Sequence, residues 1–350
     1  MADPDYVVEV ENLKKFFPVT RGFLQRVVGL SKAVDGVSFA VRRGETLALV
    51  GESGCGKTTT GRCVMRAIEP TGGRTVYRVS PAADPVDINA LDKEKLRLFQ
   101  RHVGMIFQDP YSSLNPRHTI LEIVGEPFIT RKVVRTRREL EERVAELLRS
   151  VRLDPSYMRR YPHAFSGGQR QRIAIARALA LRPAFIVADE PVSALDVSVQ
   201  AQILQLLKEL QDELHLTYLF VAHNLAVVEY ISDRVAVMYV GKIVELGQTE
   251  VIFANPKHPY TEALLSAVPT ISEKATKKRQ IVLEGDVADS MNVPDGCSFH
   301  PRCKYAEEVC RREPPPLVNV AAKGAVPHFA LCHFAASLSL EGVKISPVAA

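Results

Sequence analysis

A glycine-rich loop near the start of the chain constrains the fold more than any other feature of the sequence. Residues 51–58 read Gly-Glu-Ser-Gly-Cys-Gly-Lys-Thr, which fits the spacing G-x-x-x-x-G-K-[ST]. The apolar run 46–50 before it predicts a buried strand, and a helix is predicted from about Lys57 to Ile68. Between such elements, glycines let backbone N–H groups face a phosphate, and the helix N-terminus adds partial positive charge. The loop therefore predicts a protein that binds and hydrolyses MgATP.

Each side chain of the loop has a chemical reason to be there. Lys57 would place a full positive charge at the β- and γ-phosphates, and Thr58 would offer its hydroxyl to Mg²⁺. The predicted nucleotide-binding residues of this segment are Gly51, Ser53, Gly54, Cys55, Gly56, Lys57, Thr58 and Thr59.

Polar side chains follow three further predicted strands. The apolar run 185–188 ends in Asp189 and Glu190, which predicts a carboxylate for Mg²⁺ and a general base for the attacking water. Gln108 follows the strand 103–107, and His223 follows the strand 217–222. Gln108 is predicted to coordinate Mg²⁺ or the water, and His223 to hydrogen-bond the γ-phosphate. The alternatives are a helix or turn cap for the acidic pair, and plain surface polarity for the amide and the imidazole.

A second predicted anion site opens a helix at residues 166–172, which read Ser-Gly-Gly-Gln-Arg-Gln-Arg. Ser166 is a plausible N-cap, and two glycines at a helix start favour anion binding. A second phosphate site without a second nucleotide loop predicts that this helix serves a nucleotide held by another subunit.

Taken in order, these motifs resemble those of the ATP-binding subunits of ABC transporters. The match comprises Walker A at 51–58, the Q-loop Gln108, the signature 165–169, Walker B at 185–190, the D-loop 193–196 and the switch histidine His223. The signature begins with Phe165, where many members have Leu. In that family two subunits sandwich two ATP molecules, and each signature faces the partner's Walker A. The resemblance adds these predicted nucleotide contacts: Phe17 as the adenine-stacking aromatic, Ser166, Gly168, Gln169 and Asp196.

Four other segments resemble the oligopeptide and dipeptide importers within that family. They are residues 108–117, 160–163, 258–265 and 296–303. The resemblance implies an ATP-hydrolysing subunit that energises the uptake of di- or oligopeptides. Two alternatives stay open: the ATPase of an importer for nickel or another small solute, and a soluble ABC ATPase without a transport role.

The expected fold is an α/β P-loop cassette with a mainly parallel sheet, an antiparallel β subdomain and an inserted helical subdomain at about 110–180. We predict an ATP-binding domain over residues 1–255 and a C-terminal peptide-importer-type extension over 256–350. The Cys- and Pro-rich tail is expected to form a small separate module. The segment 18–31 is predicted as an insertion between two strands.

The tail carries four cysteines with the spacing C-x5-C-x6-C-x21-C, namely Cys297, Cys303, Cys310 and Cys332. Four thiolates can hold a [4Fe–4S] cluster or complete a zinc site. The spacing lacks the tight C-x2-C knuckles of zinc ribbons, and the resemblance to peptide importers favours the cluster. Free or oxidised thiols are the remaining alternative.

The expected partners follow from the resemblance. They are a second ABC ATPase subunit (a paralogue or a copy), two transmembrane permease subunits and, indirectly, a solute-binding protein. The net charge of +5 is spread along the chain, so no nucleic-acid partner is predicted. No apolar run approaches the ~20 residues that a membrane span needs, and the polar N-terminus is unlike a signal peptide. We expect a peripheral protein at the cytoplasmic face of the inner membrane.

Overall fold

The chain folds into two units, each assembled from separate segments. The computed structural model describes residues 5–22, 26–268, 281–285 and 288–343. The helical unit comprises Met1–Glu9, Ala40–Thr46 and Val76–Val221. The phosphate-loop unit comprises Val10–Phe39, Leu47–Thr75 and Ala222–Ala350.

The regular elements of the described residues are as follows. The strands are β1 (Tyr6–Arg21), β2 (Arg26–Arg42), β3 (Thr46–Val50), β4 (Gly72–Tyr77), β5 (Val86–Asp87), β6 (Val103–Ile106), β7 (Phe185–Asp189), β8 (Thr217–Ala222), β9 (Arg234–Tyr239), β10 (Lys242–Gln248), β11 (Leu317–Asn319) and β12 (Phe329–Leu331). The α-helices are α1 (Lys57–Val64), α2 (Lys93–Phe99), α3 (Pro110–Ser113), α4 (Ile120–Thr130), α5 (Arg137–Ser150), α6 (Gly167–Leu179), α7 (Val197–Leu214), α8 (Leu225–Ile231), α9 (Thr249–Ala254), α10 (Pro259–Ser266) and α11 (Glu308–Arg312).

The helical unit is built on three parallel strands, β6, β7 and β8, with β7 in the middle. Met105 is paired with Val187, and Val187 with Leu219. Every residue of β7 and β8 is buried, which is why their sequences read as continuous apolar runs. The predicted helix 137–150 is confirmed as α5, which packs with α4 and α6. The region between β6 and β7 is therefore largely helical.

The phosphate-loop unit contains a mixed sheet in the order β11-β12-β10-β9-β3. β3 and β9 are parallel, with Leu49 opposite Ala236, whereas the β9–β10, β10–β12 and β11–β12 pairs are antiparallel. The expectation of a separate tail is wrong in this respect, because β12 extends the sheet at β10 and pairs Ala330 with Glu245. Each tail strand has only three residues, too few for a periodic sequence signal.

The predicted insertion at 18–31 is also wrong where the structure describes it. β1 runs to Arg21 and β2 begins at Arg26, so most of the segment is strand, with residues 23–25 outside the described ranges. Val27 and Val28 are both exposed although they face opposite sides of β2. Because neither side of β2 is buried here, apolar and polar residues do not alternate along the segment. The sequence therefore lacks the pattern that predicts a strand.

A buried carboxylate ties the tail to the sheet. Glu245 of β10 has no exposed surface. It accepts hydrogen bonds from the backbone N–H groups of Lys257 (2.7 Å) and His258 (2.9 Å), and it lies 2.7 Å from Nε2 of His328. A buried acid needs such partners, because an unpaired one costs several kcal/mol, about 3–5. The Glu245 side chain thus holds together β10, the start of α10 and the residue before β12.

No helix within the described residues combines the length and the apolarity that crossing a bilayer requires.

Candidate nucleotide site

The predicted phosphate loop lies between β3 and α1, as its sequence context indicates. Gly56 is the N-cap of α1, with φ of 105°. The Lys57 side chain is 5% exposed, and its Nζ donates to the carbonyl oxygens of Gly51 (2.8 Å) and Glu52 (2.9 Å). The Lys57 ammonium is therefore held across the loop, beside the N-terminus of α1. The full charge of Lys57 and the partial positive charge of the helix end both favour a bound phosphate.

Two glycines of the loop are required by close backbone neighbours. A Cβ on Gly51 would lie 2.1 Å from the carbonyl oxygen of Met238 in β9. A Cβ on Gly56 would lie 2.0 Å from the carbonyl oxygen of Ala33 in β2. The loop is also tied to the turn after β9, because Gly241 N–H donates to the Cys55 carbonyl at 2.9 Å. Its shape is set by the unit before any ligand binds.

The remaining predicted residues of this loop differ in exposure. Ser53 and Gly54 are exposed, whereas Thr58 and Thr59 are half-buried in the first turn of α1. Cys55 is buried, and burial raises the pKa of its thiol despite the nearby Lys57 ammonium. The sulfur is therefore uncharged at neutral pH, and the backbone of Cys55 is what the loop uses.

Gln108 and Glu190 are brought together in the helical unit. Gln108 Nε2 donates to Glu190 Oε2 at 3.0 Å. Glu190 has φ of 47°, in the left-handed region that non-glycine residues seldom adopt, at a cost of about 1–3 kcal/mol. Its backbone is held by bonds from Glu190 N–H to Val221 O and from Ser193 N–H to Glu190 O. The unit thus maintains a strained backbone that points this carboxylate at Gln108.

The other polar residues predicted at strand ends have distinct surroundings. Asp189 is the last residue of β7 and is 1% exposed. His223 is exposed directly after β8, in the phosphate-loop unit. Asp196 is the N-cap of α7, and its hydrogen bonds from Ser198 Oγ and Val199 N–H lower the pKa of its carboxyl. Asp196 therefore caps α7, a role that the sequence analysis did not predict for it.

The predicted signature opens α6 with a capping box. Ser166 Oγ accepts from Gln169 N–H, and Ser166 N–H donates to Gln169 Oε1 at 3.1 Å. Ser166 is exposed, while Phe165 before it is buried against Tyr157. A Cβ on Gly168 would lie 2.5 Å from Val199 Cγ1, so this glycine lets α6 approach α7. The exposed helix start is available to a ligand.

The predicted adenine-stacking residue lies on β1. Phe17 is 37% exposed, and Lys15 Nζ lies 4.9 Å from its ring centroid. The phosphate-loop unit therefore carries Phe17, residues 51–59 and His223. The helical unit carries Gln108, Asp189, Glu190, Ser166, Gly168, Gln169 and Asp196.

The predicted [4Fe–4S] cluster is wrong. The four tail cysteines do line one cavity, but it has a volume of only about 10 Å³, room for about one water molecule. Burial raises the pKa of the Cys297 thiol, and it raises the pKa of the Cys303 and Cys332 thiols to about 11. Among the described residues no group of three or more His, Cys, Asp or Glu side chains is placed to hold a metal ion. The zinc alternative is wrong as well, because a zinc site also needs such a group of ligands and the described residues contain none.

Two residues at the phosphate loop were missed by the sequence reasoning. The Tyr260 hydroxyl accepts from Glu52 N–H at 2.8 Å, and Arg302 makes two bonds to the Glu52 carboxylate. Both residues lie in segments, 258–265 and 296–303, whose sequence indicates only a resemblance to peptide importers. No local pattern links them to a loop more than 200 residues earlier.

His258, the N-cap of α10, should make the fold sensitive to acid. Burial lowers its pKa to about 3, and its Nδ1 accepts from Tyr260 N–H at 3.1 Å. The unfolded histidine titrates near ~6.5, so between that pH and about 3 the unfolded chain binds a proton that the folded chain does not. The free energy of unfolding must therefore decrease as the pH is lowered from ~6.5 towards about 3.

The corresponding test is denaturant unfolding at pH 7 and pH 5. We expect the wild type to lose about 2 kcal/mol more than His258→Asn, which keeps a cap acceptor but does not titrate. Equal losses in the two proteins would refute the role of His258.

Comparisons with known proteins agree with these motifs. Residues 34–193 match the family model described as ABC transporter, and residues 244–310 match the one described as oligopeptide/dipeptide transporter, C-terminal region. The chain is 50% identical to the oligopeptide transport ATP-binding protein AppF of Bacillus subtilis, over 95% of this chain and 98% of that protein. It is 49% identical to the dipeptide transport ATP-binding protein DppF of Haemophilus influenzae, over 87% and 90% respectively.

A similar solved structure is a dimeric ATP-binding cassette in a post-hydrolysis state with bound ADP and Pi. It is 30% identical, has a TM-score of 0.60, and the match covers 69% of this chain and 98% of that one.

Proposed function

This chain belongs to the ATP-binding subunits of ABC transporters, in the oligopeptide and dipeptide branch, and we propose that it hydrolyses MgATP to energise peptide uptake through partner permease subunits. The fold is a P-loop ABC ATPase cassette. The observation that carries the ATPase assignment is the strained Glu190, whose carboxylate is held by Gln108 at 3.0 Å. The peptide assignment rests on the relatives, which match nearly the full length.

The phosphate-loop residues would hold the nucleotide. Lys57 and the N–H groups of residues 51–59 would bind the β- and γ-phosphates, and Phe17 would stack on adenine. Mg²⁺ would neutralise phosphate charge, held by the Thr58 hydroxyl, Asp189 and the amide oxygen of Gln108. This all-oxygen set suits Mg²⁺, and the Gln108 oxygen is available because the amide nitrogen points to Glu190.

Glu190 would be the general base. Its carboxylate would accept the proton of the water that attacks the γ-phosphate, while Gln108 and His223 would orient that water and the phosphate. The exposed ends of α6 and α7, with Ser166, Gly168, Gln169 and Asp196, would bind the nucleotide of a second ATPase subunit, a paralogue or a copy.

The assembly we propose is peripheral at the cytoplasmic face of the membrane. The chain would work with two permease subunits and, indirectly, a solute-binding protein, without nucleic acid. Residues 1–255 would form the ATP-binding domain, with about 110–180 as its helical subdomain. Residues 256–350 would form the importer-type extension, a Cys-rich C-terminal module attached to the sheet through β12.

Transport assays in cells that lack this chain test the proposal. We expect the wild type to restore uptake of labelled di- or tripeptides and Lys57→Ala to leave it at background, because the variant lacks the phosphate-binding ammonium. Lys95→Ala, at an exposed lysine of α2, is the control and should restore uptake fully. Restored nickel uptake in place of peptide uptake would identify the alternative substrate. If neither solute is taken up, the transport role is refuted.

A further inference from the structure

The phosphate loop contains an acidic residue whose charge opposes the loop's function. Glu52 is the second residue of the loop, between Gly51 and Ser53, and its carbonyl oxygen accepts a hydrogen bond from Lys57 Nζ. A carboxylate this close to a polyphosphate site repels the ligand and competes for Lys57. The loop therefore needs a cation that engages Glu52.

Arg302 supplies that cation from the C-terminal region. Its Nη1 lies 2.7 Å from Glu52 Oε2, and its Nη2 lies 3.1 Å from Oε1, so the two side chains form a bidentate pair. The Arg302 side chain is 6% exposed and that of Glu52 is 27% exposed. The hydrogen bonds to Glu52 raise the pKa of Arg302 above its ordinary value. Both groups are within the phosphate-loop unit, 250 residues apart in sequence.

An aromatic cluster fixes the position of Arg302. Phe299, three residues earlier, packs on Tyr239 (centroids 5.2 Å apart) and on Tyr260 (5.4 Å). Tyr260 in turn accepts the Glu52 backbone N–H at 2.8 Å. Glu52 is thus held through its carboxylate by Arg302, and through its backbone by Tyr260. The C-terminal region therefore contacts the loop with an oriented charge and an oriented hydroxyl.

We propose that Arg302 is a positioning residue for nucleotide binding, which neutralises Glu52 and keeps Lys57 available to the phosphates. The inference rests on the proposed function, because it presumes that the loop binds MgATP. It assigns the C-terminal region a direct part in nucleotide affinity. The guanidinium acts through Glu52 and does not itself contact the nucleotide.

The test compares MgATP binding by the full chain with Arg302→Gln, Glu52→Gln and the double variant, using calorimetry. Arg302→Gln leaves the Glu52 charge uncompensated, and we expect the Kd to rise at least about tenfold. Glu52→Gln removes the repelling charge, so its Kd should not exceed that of the wild type. The double variant has lost both charges of the pair, so its Kd for MgATP should return to within about threefold of the wild-type value.

Rescue by the second substitution separates this role from simple packing. If Arg302→Gln weakens binding as much in the Glu52→Gln background as alone, the charge argument is refuted. An unchanged Kd in Arg302→Gln refutes it as well. Arg302→Lys, which keeps the charge but not the bidentate geometry, should give an intermediate Kd, and Arg312→Gln on α11 is an exposed control. A wild-type chain that fails to bind MgATP would instead refute the proposed function.

Discussion

Glu190→Gln is expected to lower the rate of ATP hydrolysis by about 10²- to 10⁴-fold while MgATP binding stays intact, because the amide cannot accept the proton of the attacking water. The substitution keeps the size and shape of the side chain. The new amide can still accept the hydrogen bond from Gln108 through its oxygen. The left-handed backbone of residue 190, fixed by Val221 and Ser193, has no reason to change. The rate is measured as phosphate release by the assembled transporter.

The control for that experiment is Glu142→Gln on α5, where the change removes one exposed ion pair with Arg138. Such a pair contributes little, and the rate should stay within about twofold of the wild type. The Glu190→Gln protein should also accumulate as an ATP-bound dimer, detectable by light scattering. Normal turnover by this variant would show that another group is the base.

Gly56→Ala is expected to destabilise the phosphate-loop unit by about 3 kcal/mol or more, and to abolish nucleotide binding. A Cβ at this position would lie 2.0 Å from the Ala33 carbonyl oxygen, and neither backbone segment has a flexible group that can yield. The φ of 105° adds strain that only glycine avoids. The measurement is the free energy of unfolding in denaturant without nucleotide.

Gly54→Ala is the matched control in the same loop. Gly54 also has a positive φ, of 80°, but a Cβ there would meet nothing within 4 Å. This variant should lose about 1 kcal/mol from backbone strain alone. Equal losses in the two variants would mean that the contact with Ala33 does not limit the loop.

The parts of this molecule that the sequence predicts well are encoded locally. The loop 51–58, the buried strand before Asp189 and the helix 137–150 each carry their signal within a few neighbouring residues: a glycine spacing, an apolar run and a helical stripe. The predicted capping role of Ser166 is similarly local, since its Oγ accepts from the N–H of Gln169, three residues later.

The parts that were missed depend on distant segments. The pair of Arg302 with Glu52 and the pairing of β12 with β10 join residues that are far apart in sequence, and neither has a periodic pattern. The left-handed φ of Glu190 follows from contacts with Val221 and Ser193, not from its own residue type. The cysteine spacing was misleading because spacing along the chain does not determine how the described side chains are placed around the cavity.

The pairing of β10 with β12 also bears on the order of events while the ribosome makes the chain. Glu245 is synthesised 85 residues before Ala330, its partner across the sheet. At about 5–20 residues per second, this leaves an interval of roughly 4–17 s in which the outer edge of β10 has no strand beside it. During that interval Glu245 also lacks His328. Nascent chains are therefore most exposed to edge-to-edge association late in translation, and ribosomes that stop short of the tail would release aggregation-prone products.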